Sequence, residues 1–265
     1  VLTSDCEFRV FEPPVLLRRT GRWFEPVDLF QSLAGLPGSL LLESQPSSDG
    51  YSGRYSVVCS DPVGYLPSSG ESLFPRIREH LRSNRIPPIS GLPFPGGLAG
   101  YLGYELRTLI EESPLSARND IVIPDCRLGI YDHAIVFDHQ DRTVTLVAGT
   151  TDRLDSMEAA LVDAEPAGHM ESVARTGPVT SSLDKADYLR AVLAIKEYIA
   201  AGDIYQANLA QRFSVETNAD PWRLYLRLRS ANPVPYAAFM NCGDFQVVST
   251  SPECFLELDP LTRRV

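Results

Sequence analysis

Apolar positions along the chain recur with two periods, and these divide it into segments. Gly38–Ser44, with Leu40, Leu41 and Leu42 at its centre, reads as a buried strand ending in the polar pair Glu43 and Ser44. Arg54–Ser60 returns as a second strand, and the two predict an antiparallel pair across the loop Gln45–Gly50. Ile121–Ile130, Asp132–Asp138 and Thr143–Gly149 alternate as strands do, with Asp138–Arg142 as the turn between the last two. Near the start, Glu7–Phe11 is strand-like and Pro26–Leu36 is amphipathic. Helical spacing covers Phe74–Asn84 and Arg153–Glu165. It returns at Tyr188, Val192, Ile195 and Ile199, in a helix opened by Leu183 and stopped by Ala201-Gly202-Asp203. Phe245–Thr250 and Phe255–Leu258 read as the strands of a hairpin.

The segment after the stop is unusual for a strand. Ile204, Leu209 and Phe213 are apolar anchors, yet Gln206, Asn208, Gln211 and Arg212 crowd amides and a guanidinium between them. Such a row suits a polar, anionic small molecule; an amide-rich edge strand is the alternative. Pro166–Ser182, rich in Gly, Pro, Ser and Thr, reads as a linker and predicts domains at 1–170 and 183–265.

Composition narrows the function. A chain of 265 residues with 44% hydrophobic and 22% charged positions can bury an ordinary core. A net charge of −10 argues against nucleic acid or an anionic membrane surface as partner. The five cysteines are odd in number and form no Cys-x-x-Cys pair, which points away from metal or disulfide frameworks and toward a reducing cytoplasm. His80, His133, His139 and His169 are isolated, and His133 and His139 suit hydrogen-bonded structural roles in a strand-like run. No stretch reaches the roughly 20 apolar residues of a membrane span.

The segment Gly202-Asp203-Ile204-Tyr205-Gln206-Ala207-Asn208-Leu209 resembles the helix-to-strand signature of the chorismate-utilising enzymes, the anthranilate synthase component I family. Leu41–Ser44, Gly53–Ser56, Gly96–Glu105, Asn232–Tyr236 and Ser251-Pro252-Glu253 follow that family's order over nearly the whole chain. The wording Tyr205-Gln206-x-Asn208-Leu209 is similar to the aminodeoxychorismate-forming branch, whereas the anthranilate-forming branch usually carries Phe-Gln-x-Val-Leu. The resemblance implies an α+β protein, an antiparallel β-sandwich with helices packed outside. It implies amination of chorismate with Mg²⁺, ammonia coming from a glutamine amidotransferase subunit. It also implies a catalytic domain running well past Val265, so that the chain is expected to be an N-terminal part and inactive alone. Anthranilate synthesis, or a non-catalytic tryptophan-binding regulatory role, are the other readings.

Site residues follow from the same resemblance. Glu253 matches the acid that protonates the departing C4 hydroxyl, and Phe255 and Leu256 are expected to keep its carboxyl in apolar surroundings. Gln206 stands where the water-adding members place a Lys base; an amide cannot take a proton from water, so another nucleophile is implied. In the aminodeoxychorismate branch that nucleophile is a Lys of a Pro-Ile-Lys-Gly-Thr motif, which the anthranilate branch lacks, and which would fall beyond Val265. The Mg²⁺-binding glutamates of the family would also lie beyond Val265. Ser44, Arg54, Tyr55, Pro235, Tyr236 and Ala237 match a tryptophan pocket, with a purely structural seam as the alternative. The glycines of Gly96–Glu105 suit close strand approach rather than phosphate binding.

Overall fold

In a computed structural model the described residues are 15–45, 53–86, 88–112, 121–162 and 177–258. The Glu7–Phe11 segment, most of the loop after Gln45, residues 166–176 of the linker, Cys6 and His169 lie outside them. In chain order the strands are β1 (Leu16–Thr20), β2 (Leu40–Glu43), β3 (Tyr55–Cys59), β4 (Gly64–Tyr65), β5 (Gly97–Leu102), β6 (Cys126–Tyr131), β7 (His133–Asp138), β8 (Thr143–Ala148), β9 (Thr180–Ser181), β10 (Phe213–Ser214), β11 (Tyr236–Asn241) and β12 (Gln246–Ser251). The helices are α1 (Pro26–Phe30), α2 (Leu73–Ser83), α3 (Thr151–Val162), α4 (Lys185–Ala201) and α5 (Pro221–Ala231). They form two compact units, one from residues 1–170 with 224–265 and one from 171–223.

The larger unit is built on a seven-stranded sheet in the order β1-β8-β7-β3-β2-β11-β12, and every neighbouring pair is antiparallel. A second sheet, β4-β6-β5, is also antiparallel. Strand alternation decides which side chain meets which layer. Leu40, Cys59, Met240 and Ala134 pack in one cluster with Tyr131, Ala99 and Tyr101 of the smaller sheet. Phe239, next to Met240 in β11, faces the other way and meets Phe30 and Tyr225 edge-on at 5.7 and 5.9 Å, which seats α1 and α5 on the opposite face. Phe30, Leu41, Phe137 and Phe239 are almost wholly buried, and each such side chain contributes about 1.5–3 kcal/mol by leaving water. All six residues of β7 are buried, because layers cover both faces of this central strand. The fold is thus the α+β antiparallel sandwich with outer helices that the resemblance implies.

In the smaller unit α4 begins at Asp184, whose carboxylate accepts from the Asp187 N–H at 2.7 Å. It ends at Gly202, at φ 84, where Asp203 N–H reaches Tyr198 O and Gly202 N–H reaches Ile199 O. The helix stop therefore falls where Ala201-Gly202-Asp203 puts it.

Three expectations differ from the structure. Residues 204–212 form no strand, and only Phe213–Ser214 pairs, with Thr180–Ser181. The amide-rich composition explains this: Gln211 Nε2 donates to Ser181 Oγ at 2.7 Å and to Leu183 O at 3.0 Å, and Arg212 N–H donates to Ser182 Oγ. Phe255–Leu258 is not a strand either. The partner of β12 is β11, and Pro252 breaks the chain away from the ladder beyond Ser251. Finally, the division at 1–170 and 183–265 does not coincide with the compact units, because β11 pairs directly with β2.

Candidate functional site

The Glu43-Ser44 end of β2 is where distant parts of the larger unit converge. Ala237 lies opposite Glu43 in the ladder, and Gln45 N–H donates to Val234 O at 3.1 Å. Ser44 Oγ donates to Pro235 O at 2.8 Å, 191 residues away in sequence. Gly53 approaches from the third side: a Cβ there would sit 2.3 Å from Ser44 Oγ and 3.2 Å from Pro235 O. Glycine is needed at this approach because there is no room for a side chain.

Of the six residues matched to an amino-acid pocket, Ser44, Pro235 and Ala237 are thus in one place. Pro235 and Ala237 are buried and Tyr236 is half-buried. Arg54 is turned elsewhere. Its guanidinium spans both Asp138 carboxylate oxygens at 2.7–3.1 Å and reaches Asp141 at 2.9 Å. It also lies 5.0 Å from the Tyr55 ring centre. Burial would raise the Asp138 pKa, but the Arg54 hydrogen bonds and the amides of Asp141 and Gln140 outweigh it, holding the carboxyl below its ordinary value. Burial pushes the Tyr55 hydroxyl up. Arg54 and Tyr55 therefore brace the Asp138–Arg142 turn.

Sequence reasoning missed the groups that hold Ser44. Glu43 is 2% exposed, and its carboxylate accepts from Tyr225 Oη at 2.6 Å and from Arg229 at 2.8–2.9 Å. Burial disfavours the charge on Arg229, yet its bonds to Glu43 prevail and hold the guanidinium pKa above its ordinary value. Burial first, then the Glu43 charge, pushes the Tyr225 hydroxyl far up, so it stays a donor. Helix α5 was not anticipated, although Asp220-Pro221 and the spacing of Trp222, Tyr225 and Arg229 carry the signal. Ser44 N–H donates to Ser56 Oγ at 3.0 Å, and Ser56 Oγ lies 2.7 Å from His139 Nε2.

Glu253 follows β12 directly. Ser251 pairs with Tyr236, so the Ser-Pro-Glu segment continues from the strand beside the Pro235–Ala237 segment. Its backbone is fixed by Ser251 Oγ, which donates to Glu253 O at 3.0 Å. Glu253 is exposed, as are Phe255 at 99% and Leu256 at 63%. Among the described residues Phe255 and Leu256 do not enclose the Glu253 carboxyl, since both side chains are exposed. Gln206 belongs to the smaller unit and is exposed, in the irregular stretch between α4 and β10. Among the described residues no three His, Cys, Asp or Glu side chains are grouped to hold a metal ion. These described residues offer no donor set for the Mg²⁺ that the resemblance implies. Among the same residues, no helix is long and apolar enough to cross a membrane.

The larger unit is thus a large antiparallel sheet faced by a smaller sheet and by helices, with Glu43-Ser44 at one strand end and Ser251-Pro252-Glu253 at another. Residues 40–265 match the family described as chorismate binding enzyme, and the chain belongs to that family. It is 31% identical over 247 residues to aminodeoxychorismate synthase component 1 of Escherichia coli K12, covering 87% of this chain and 54% of that protein. It is 34% identical over 266 residues to anthranilate synthase component 1 of Streptomyces coelicolor, covering 90% and 50%. The chain spans about half the length of these curated relatives. The fold is similar to the crystal structure of anthranilate synthase component I from Streptococcus pneumoniae TIGR4, with a TM-score of 0.66 at 22% identity over 97% of this chain and 60% of that one.

Proposed function

We propose that the protein is a chorismate aminase of the aminodeoxychorismate-forming kind, working with a glutamine amidotransferase subunit that delivers ammonia. The observation that carries this reading is the Tyr205-Gln206-Ala207-Asn208-Leu209 segment within a chain of the chorismate binding family. Gln206 offers a carbonyl oxygen and an amide N–H₂ but no basic site at neutral pH, so it orients substrate and does not activate water. Glu253, set by its Ser251 turn at the end of β12, donates the proton with which the C4 hydroxyl of chorismate departs as water. A nitrogen nucleophile then forms the new bond, giving 4-amino-4-deoxychorismate for para-aminobenzoate and folate synthesis. Mg²⁺ would neutralise the substrate carboxylates when bound. The reaction suits the cytoplasm, where chorismate and the amidotransferase would be met.

The Ser44–Pro235 seam takes an indole amino acid in this reading. A Ser44 hydroxyl that donates to Pro235 O still has lone pairs to accept from an ammonium group, and Pro235 and Tyr236 supply apolar surface. The test is product identity. The intact protein, supplied with chorismate, ammonium and Mg²⁺, should yield 4-amino-4-deoxychorismate by mass spectrometry. Anthranilate as the product would replace this reading by the other branch of the family. Isochorismate would remove the role given to Gln206.

A further inference from the structure

Ser56 is fully buried in the larger unit, on β3 between β2 and β7, and its hydroxyl links the ends of those two strands. On one side it is 3.0 Å from the Ser44 N–H at the end of β2; on the other it is 2.7 Å from His139 Nε2, just after β7. A hydroxyl has one hydrogen to give. With the Ser44 N–H directed at the oxygen, that hydrogen is satisfied by a His139 ring that accepts at Nε2 and keeps its own proton on Nδ1.

We propose that Ser56 and His139 are positioning residues for Ser44, fixing its backbone for an amino-acid ligand only while the His139 ring is neutral. This rests on the reading of the Ser44–Pro235 seam as a ligand pocket. Protonation would turn Nε2 into a donor. Ser56 Oγ would then receive both His139 and Ser44, and its own hydrogen would be stranded without an acceptor in a fully buried place. The strain is relieved when the Ser56 side chain turns to another rotamer to find its hydrogen an acceptor, which takes Oγ away from the Ser44 N–H and frees Ser44 to shift from Pro235 and from the ligand ammonium.

Burial outweighs the carboxylates that face His139, so the ring is not held protonated. Burial is the largest influence and lowers its pKa from the ordinary 6.5. Glu25 before α1, Glu43 on β2 and Asp138 on β7 act to raise it, while Arg142 in the following turn lowers it. Two of those carboxylates are already committed, Glu43 to Arg229 and Asp138 to Arg54. The Trp23 indole lies edge-on to the His139 ring at 5.4 Å, and the Arg142 guanidinium in turn lies over the Trp23 ring at 4.4 Å.

The experiment uses the intact protein with isotope-labelled serine, the Ser44 amide signal being identified by its loss in Ser44→Ala. That signal is followed by NMR from about pH 8 to about pH 5, and L-tryptophan affinity is measured by calorimetry across the same range. In the wild type the Ser44 amide should shift as His139 titrates, and affinity should fall about tenfold, the loss that one neutral hydrogen bond represents. In His139→Gln, whose amide oxygen still accepts from Ser56, both should become flat with pH. A Ser44 amide that does not move, or that moves equally in His139→Gln, overturns the proposal. If His139→Gln does not fold, the wild-type titration alone decides on the first of these outcomes. A titrating Ser44 amide with no tryptophan bound at any pH supports the positioning role and overturns only the pocket reading.

Discussion

The Glu43 carboxylate and the Arg229 guanidinium form a three-bond ion pair at 2.8–2.9 Å, joining the end of β2 to the last turn of α5 across 186 residues of sequence. Arg229 lies one turn beyond Tyr225, which adds its hydroxyl to the same carboxylate at 2.6 Å. The neighbouring residue is Ser44, so the geometry of the Ser44–Pro235 seam is inherited from this buried pair. Gln45 continues the cluster: with its amide oxygen toward Arg229, it accepts at 3.1 and 3.2 Å.

A buried pair is costly to break and of little net benefit compared with apolar packing. Glu43→Ala should destabilise the larger unit by about 3–5 kcal/mol, since it leaves a guanidinium and a phenol buried without their acceptor. Glu43→Leu combined with Arg229→Met should lose much less, because both charges go together. Urea unfolding of the three proteins measures the difference. Equal losses in the single and double variants would mean that the pair acts only through its packing.

Much of the fold was legible because it follows from local rules. The apolar segments Gly38–Ser44 and Arg54–Ser60 predict the antiparallel pair that β2 and β3 form, and Gly202 ends α4 where its left-handed φ allows. What was not legible depends on contacts distant in sequence. Nothing near Glu43 signals that its partner is Arg229, and the exposed apolar environment of Phe255 could not be separated from a buried one by composition. Residues 204–212 misled for a related reason: their apolar anchors resemble a strand, but Gln211 and Arg212 are captured by Ser181, Leu183 and Ser182. The candidate site was half legible. Ser44, Pro235 and Ala237 meet, whereas Arg54 serves Asp138.

Asp138 makes part of the stability dependent on acid. Its folded pKa lies below the ordinary 3.8, against the effect of burial, because Arg54 and two turn amides bind the carboxylate. A depressed carboxyl pKa contributes stability that is complete above the unfolded value and is lost as pH falls through 3.8 toward the folded one. Arg54→Ala should therefore lower the melting temperature at neutral pH. Its deficit against the wild type should narrow below about pH 4. A constant deficit across that range would assign the effect to the packing of Arg54 on Tyr55 instead.

The sharpest test of the catalytic reading is Glu253. It is exposed and its backbone is set by Ser251, so replacing its side chain should leave the β11–β12 hairpin intact. Glu253→Gln keeps the size and hydrogen-bonding capacity but removes the proton that the C4 hydroxyl needs to leave. Turnover of chorismate by the intact protein should fall by roughly 10²–10⁴, with a much smaller change in KM, because the lost interaction belongs to the transition state. The melting temperature should not move. A turnover within a few-fold of the wild type would place the acid elsewhere. A rise in KM with kcat unchanged would make Glu253 a binding group for the chorismate hydroxyl.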